Sequence, residues 1–262
     1  MSRKKIKILF TGLCAIISSA AHAFPAENSG YVSLFGGAGW TKSGETTDVT
    51  LEPPITTNRY EASTAAPAAP IVGLSTGYVW RSLGRLALNL SLGLESQYTR
   101  VLSAAGTVRP LFFINPNFDT LNFRYAVSSV PLLVVSTLQF PGERWIPYII
   151  GGIGFAWNKT SNYYEEPSDP NNSALPMRSP FTPRGLIEFA YTVGGGLSYS
   201  LSALASIALE YRYTNYGDAQ FNPPSQEPNA TRFSLGQVAS NALLLRFSMG
   251  FGKGLSHLPS VQ

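Results

Sequence analysis

Leu86-Ala87-Leu88-Asn89-Leu90-Ser91-Leu92-Gly93-Leu94-Glu95 sets five leucines in strict alternation with small and polar residues. Side chains of a β-strand point to opposite faces with a period of two, so this stretch has one greasy wall and one small or polar wall. The same texture recurs further on. Ile207, Leu209, Tyr211 and Tyr213 alternate with Ala208, Glu210, Arg212 and Thr214. Leu243, Leu245, Phe247, Met249 and Phe251 alternate with Leu244, Arg246, Ser248 and Gly250. Tyr191, Val193, Leu197 and Tyr199 are set against Thr192, Gly194, Gly196 and Ser198. Two segments are ambiguous: 130–135 is apolar at both parities and holds Pro131, and large residues of both parities surround Gly36-Gly37.

Eight strand-like segments follow from this pattern, at 30–41, 71–81, 85–98, 123–140, 145–158, 187–200, 206–216 and 241–251. The connections between them alternate in length. The first, third, fifth and seventh are long, roughly twenty to thirty residues; the second, fourth and sixth are tight, as at Ser82-Leu83-Gly84. Short turns on one side and long loops on the other are the connection pattern of a membrane-spanning barrel, and a water-soluble sandwich has no reason to sort its loops this way. The long connections carry most of the prolines, including Pro53-Pro54, Pro170, Pro176 and Pro228, and read as stiffened polar loops without a buried core.

The N-terminus reads as a targeting segment over residues 1–23. Arg3, Lys4, Lys5 and Lys7 make a basic region, 8–17 is a short apolar stretch, and Ala21-His22-Ala23 gives the small-x-small pattern of a cleavage site. The apolar stretch is too short to cross a bilayer as a helix. Leu13 before Cys14 argues against lipidation there. Removal of this segment leaves equal numbers of basic and acidic residues and no cysteine. A near-neutral chain of this kind does not point to nucleic acid, and without disulfides an exported fold needs another source of cohesion. A closed ring of hydrogen-bonded strands is a sufficient one. The chain after the signal has no apolar run long enough for a helical span.

Four tryptophans fall at expected strand ends: Trp40, Trp80, Trp145 and Trp157. With the N-terminus of the barrel in the periplasm, all four lie at membrane–water boundaries, where amphipathic rings are favoured. The fold expected is therefore all-β: an eight-stranded antiparallel transmembrane up-and-down β-barrel over 24–251, with long extracellular loops. Residues 252–262 form a short periplasmic tail.

Several stretches resemble a known family. Pro147-Tyr148-Ile149-Ile150-Gly151-Gly152-Ile153-Gly154-Phe155-Ala156 resembles the glycine-rich central strand of small OmpA/OmpX-like outer-membrane barrels. Val193-Gly194-Gly195-Gly196-Leu197-Ser198-Tyr199 with Leu209-Glu210-Tyr211-Arg212-Tyr213 resembles their later hairpin. The last strand, ending Arg246-Phe247-Ser248-Met249-Gly250-Phe251, is similar to the aromatic-terminated signal read by the barrel-assembly machinery, although the chain continues past it. The resemblance implies the bacterial outer membrane, lipid and lipopolysaccharide neighbours, and no cofactor.

Candidate chemistry is sparse. The only histidines are His22, in the signal, and His257, in the tail, so the barrel wall has no imidazole to activate a nucleophile. Glu95, Glu210, Arg212 and Arg246 have inward parity and read as an ion-paired polar network in the lumen, because eight strands enclose only enough room for side chains. Glu165-Glu166 with Asp169 is an acidic loop cluster that lacks the spacing of a dedicated calcium site. Tyr163, Tyr164 and Phe181, together with Phe221, place aromatics on the long loops, where they would serve surface recognition or pack on one another. The function expected is a non-enzymatic surface-structural or adhesive role, with contact to host or matrix proteins through the loops. The alternatives are a small-solute channel and, third, a lipid-modifying enzyme.

Overall fold

The computed structural model describes residues 29–251, apart from Ser43, 52–55, 64–67, 84–87, 111–119, Pro141, Glu143, 169–180, Ala203 and Glu227. The expected signal segment and tail lie outside the described residues. The chain forms β1 (Ser29–Lys42), β2 (Thr47–Leu51), β3 (Thr56–Ala62), β4 (Ala68–Leu83), β5 (Leu88–Arg109) and β6 (Leu121–Gln139). It continues with β7 (Trp145–Pro167), β8 (Phe181–Thr182), β9 (Gly185–Ser200), β10 (Ala205–Pro224) and β11 (Phe233–Phe251).

Eight of these close an antiparallel ring in the order β1-β4-β5-β6-β7-β9-β10-β11, and β11 returns to β1 from Gly30↔Phe251 to Lys42↔Ala239. Closure removes both sheet edges, so no row of unpaired backbone groups meets lipid. The alternation read from the sequence sets which wall faces where. Leu92 and Leu94 are exposed while Ser91 and Glu95 are buried; Leu209 and Tyr211 are exposed while Glu210 and Arg212 are buried. Pro131, Leu133 and Val135 turn inward and Val130, Leu132 and Val134 outward, which resolves the ambiguous segment. Pro131 has no N–H to give, and the β5–β6 pairing is interrupted around it, between Ser96↔Leu132 and Thr99↔Ser129, without a change of register.

The strands do not stop at the membrane. β7 runs ten residues past Trp157, about 30 Å of strand at 3.3 Å per residue. Trp157 thus marks a boundary within its strand and not the strand's end. On this side β1 and β4 are short, and the β2–β3 hairpin takes their place in the wall. β3 pairs with β5 from Arg59↔Arg109 to Ala62↔Gly106. The hairpin is tied to the other side by Thr47, whose hydroxyl donates to the Ser234 carbonyl at 2.9 Å, and by the Thr231 N–H donating to the Thr50 carbonyl at 3.0 Å. The result is an extracellular turret above the membrane ring.

This corrects the reading of the long connections as loops without a core. Val49 and Tyr60 of the hairpin and Phe181 of β8 join Phe123, Phe221 and Phe233 in one buried cluster. A stiff, proline-rich connection can still pair as strand when the neighbouring wall extends to meet it.

Candidate functional site

The inward charges of four strand positions converge at mid-barrel. Arg212 is ion-paired to Glu95 and lies 2.6 Å from Glu210; Arg246 Nη2 lies 2.8 Å from Glu95, and its Nε lies 3.3 Å from Glu210. Each guanidinium thus touches both carboxylates, and the four charges cancel. Arg246 also donates to the Ser75 hydroxyl at 2.9 Å, and the Tyr148 hydroxyl donates to Glu210 at 2.8 Å. Both guanidiniums stand over the ring of Phe35, at 5.4 Å for Arg212 and 4.4 Å for Arg246.

Register explains how these side chains meet. Tyr148 and Glu210 both pair with Gly196, from opposite sides, so the phenol crosses a glycine to reach the carboxylate. A Cβ at Gly196 would come within 2.8 Å of the Tyr148 ring. Phe35 likewise pairs with Gly73, where a Cβ would overlap its ring. The glycines are the gaps into which the large inward residues lean. Phe35, Tyr148 and Ser75 were not among the residues picked out from the sequence. Inward parity was readable for Tyr148, but its partner depends on strand pairing.

A neutral, mutually paired cluster with aromatic and hydroxyl partners fills the lumen at this level. Desolvating four charges is costly, and geometry in which each charge meets both opposite charges offsets that cost. A hydrated ion crossing here would have to break several of these contacts at once.

Above the cluster lies a belt of neutral polar groups. Gln97 donates to the Tyr216 hydroxyl at 2.9 Å, and Tyr216 shares a 2.9 Å hydrogen bond with Ser240. Asn158 accepts from Ser129 at 2.6 Å and donates to the carbonyls of Tyr216 and Asp218. Above the belt, the turret interior is filled by rings. Phe233 touches Tyr60, Phe123, Tyr163, Phe181 and Phe221 at centroid distances of 4.7 to 6.1 Å.

Tyr163 and Phe181, read as surface-recognition residues, are therefore inside, 9% and 4% exposed, and Phe221 is fully buried. Strand β7 continues to Pro167 through a bulge at Asn162, whose φ is 55° and where the β6–β7 register shifts between Ala126↔Ser161 and Arg124↔Tyr164. The inward side changes there from even- to odd-numbered residues, which turns Tyr163 into the turret and leaves Tyr164 outside, 55% exposed. Burial pushes the Tyr163 phenol well above its ordinary pKa, and its hydroxyl bonds the Glu165 carboxylate. Trp40, Trp145 and Trp157 project from the outer wall, while Trp80 is half-buried, edge-on to Tyr78 at 5.2 Å. Trp145 packs on Tyr199 at 4.7 Å.

Below the ion cluster the lumen opens toward the periplasmic turns as a cavity of about 260 Å³. Ser33, Ser91, Ser198, Ser206 and Ser248 line it, with Arg81 near its mouth and Tyr148 and Arg246 at its inner end. Among the described residues no group of His, Cys, Asp or Glu is arranged to hold a metal. Glu166 instead pairs with Arg124 at 3.1 Å.

The fold is similar to Neisserial surface protein A (13% identity over 85% of this chain and 97% of that chain, TM-score 0.38). It is also similar to OprG from Pseudomonas aeruginosa (13% identity, 86% and 97%, TM-score 0.37) and to Ail of Yersinia pestis (12%, 85% and 99%, TM-score 0.31). No curated protein matches the chain. The sequence profile described as outer membrane protein beta-barrel domain matches residues 11–239. With its closed eight-stranded ring, apolar outer band and polar lumen, the chain belongs to the outer membrane protein beta-barrel domain family of the bacterial outer membrane.

Proposed function

We propose that this is a non-enzymatic barrel that acts through its outer surface, in a surface-structural or adhesive role. The observation that carries the reading is the double seal of the lumen, by the Glu95–Arg212–Glu210–Arg246 cluster and by the ring-filled turret. A lumen closed twice suits anchorage better than passage. The turret adds a rigid wall beyond the membrane, held by aromatic packing that costs little further ordering on contact with a partner. The sequence places no histidine on the barrel wall, which supports the non-enzymatic half of the reading. Lipids of both leaflets, lipopolysaccharide outside and the assembly machinery during insertion are the partners this role requires.

Host or matrix contact would use the outer faces of the turret, where Tyr164 and the Arg59–Asp48 and Arg124–Glu166 pairs are presented. The test compares bacteria carrying the native chain with bacteria whose segments 42–67 and 159–185 are shortened, at equal surface expression. Loss of binding to host cells or immobilised matrix proteins supports adhesion. Unchanged binding removes adhesion and leaves the structural role.

A further inference from the structure

Arg100, Ser128 and Lys159 stand side by side on β5, β6 and β7: Arg100 pairs with Ser128, and Ser128 with Lys159. Each lies two positions beyond a girdle residue of the same parity, namely Tyr98, Val130 and Trp157, all exposed on the outer wall. Two residues of strand lift the row about 7 Å above that girdle, into the headgroup layer of the outer leaflet. Two strand spacings put the Arg100 and Lys159 backbones roughly 10 Å apart, with the serine hydroxyl between them.

Higher on β3, β5 and β6 three outward arginines are paired with carboxylates. Arg59 pairs with Asp48, Arg109 with Glu61 and Arg124 with Glu166. Among the described residues Arg100 and Lys159 have no acidic partner. Two uncompensated cations in one row, at the depth of lipid headgroups, leave an anion to be supplied by the membrane.

We infer that this row binds a phosphate of the phosphorylated glycolipid of the outer leaflet, lipid A. Arg100 supplies a planar fork that matches phosphate oxygens, Lys159 a second positive charge, and Ser128 a hydroxyl that turns from its long 3.4 Å contact with the Lys159 carbonyl to donate to the phosphate. The acyl chains lie against Tyr98, Val130, Leu132 and Trp157 below. Attraction is stronger in the partly dehydrated headgroup layer than in bulk water. The site rests on the outer-membrane placement of the chain and not on the adhesive reading.

The test uses the full barrel folded in phosphatidylcholine vesicles. These are titrated with bisphosphorylated lipid A, dephosphorylated lipid A or phosphatidylglycerol, and read by tryptophan fluorescence and thermal midpoint. Bisphosphorylated lipid A is expected to bind saturably and raise the midpoint. The Arg100→Gln/Lys159→Gln variant should bind at least about tenfold more weakly, as expected for the loss of two charge-assisted contacts. Ser128→Glu, which places a carboxylate in the row, should weaken binding comparably, and Lys42→Gln on β1 should leave it unchanged. Native affinity retained by the double variant and by Ser128→Glu overturns the site. So does dephosphorylated lipid A binding as well as the phosphorylated form, which would assign the effect to acyl packing. Phosphatidylglycerol matching lipid A would reduce it to a nonspecific anionic surface.

Discussion

Arg246 meets Glu95 across the lumen at 2.8 Å, although β11 and β5 are separated in the ring by β1 and β4. The contact spans 151 residues of sequence and fastens one side of the barrel to the other. The shared partners make the cluster a unit: Glu210 receives both guanidiniums, and Tyr148 donates to it as well.

Breaking that unit leaves a buried charge without its opposite. Glu95→Gln is expected to lower stability by about 3–5 kcal/mol, because two guanidiniums lose a carboxylate. Replacing Glu95 and Arg212 together by leucine keeps the lumen neutral and should recover part of the loss. Urea unfolding in lipid vesicles checks both. Equal loss in the single and double variants would mean that the charges do not act as a pair.

The turret is held by rings. Phe233→Ala removes a side chain that touches five other rings and is expected to cost about 3–5 kcal/mol, confined to the extracellular end. Protease added outside intact vesicles should then cut the turret while the membrane ring stays protected. Tyr164→Ala, on the outer face, should stay within about 0.5 kcal/mol of the native chain. A protease pattern for Phe233→Ala that matches the native one would contradict the aromatic seal.

The lipid-facing wall is tested on β5. Leu90 pairs with Trp80 and so lies near the periplasmic boundary; Leu94, midway between Leu90 and the Tyr98 girdle, is the midplane residue. Leu94→Arg is expected to cost about 2–4 kcal/mol, and Asn89→Arg, on the wall of the periplasmic cavity, several times less. Folding yields in vesicles report the difference, and equal yields would reverse the assigned faces.

The hairpin has a modest acid sensitivity. Arg59 donates hydrogen bonds of 2.8 and 2.9 Å to Asp48 and holds its carboxyl below the ordinary value. The folded pKa is the lower one. The contribution is therefore present above the unfolded value of about 3.9 and is lost as pH falls through the folded one. The pair is exposed, so the effect is small. Protection of the β2–β3 amides against hydrogen exchange, relative to their intrinsic rates, should fall below about pH 4, and Asp48→Asn should flatten that fall.

Much of this architecture was legible in the chain. Leu92 and Leu94 against Glu95, and Leu209 and Tyr211 against Arg212, gave strand, parity and lumen charge together, because a period of two is a local property. The turret was not legible. Tyr163 and Phe181 stood in a segment rich in prolines and charges, which resembles a solvated loop. Only the bulge of β7 at Asn162 and the pairing of β8 with β10 turn those rings inward, and pairing is a nonlocal property. Tyr148 and Phe35 escaped for the same reason: each leans over a glycine on a neighbouring strand, and the register that aligns them spans 38 to 48 residues.

Conductance across planar bilayers tests the closure of the lumen most directly. The native barrel is expected to insert without stepwise conductance at any applied voltage. Regular steps that change on substitution of Glu210 or Arg246 would contradict the seal and make the barrel a channel.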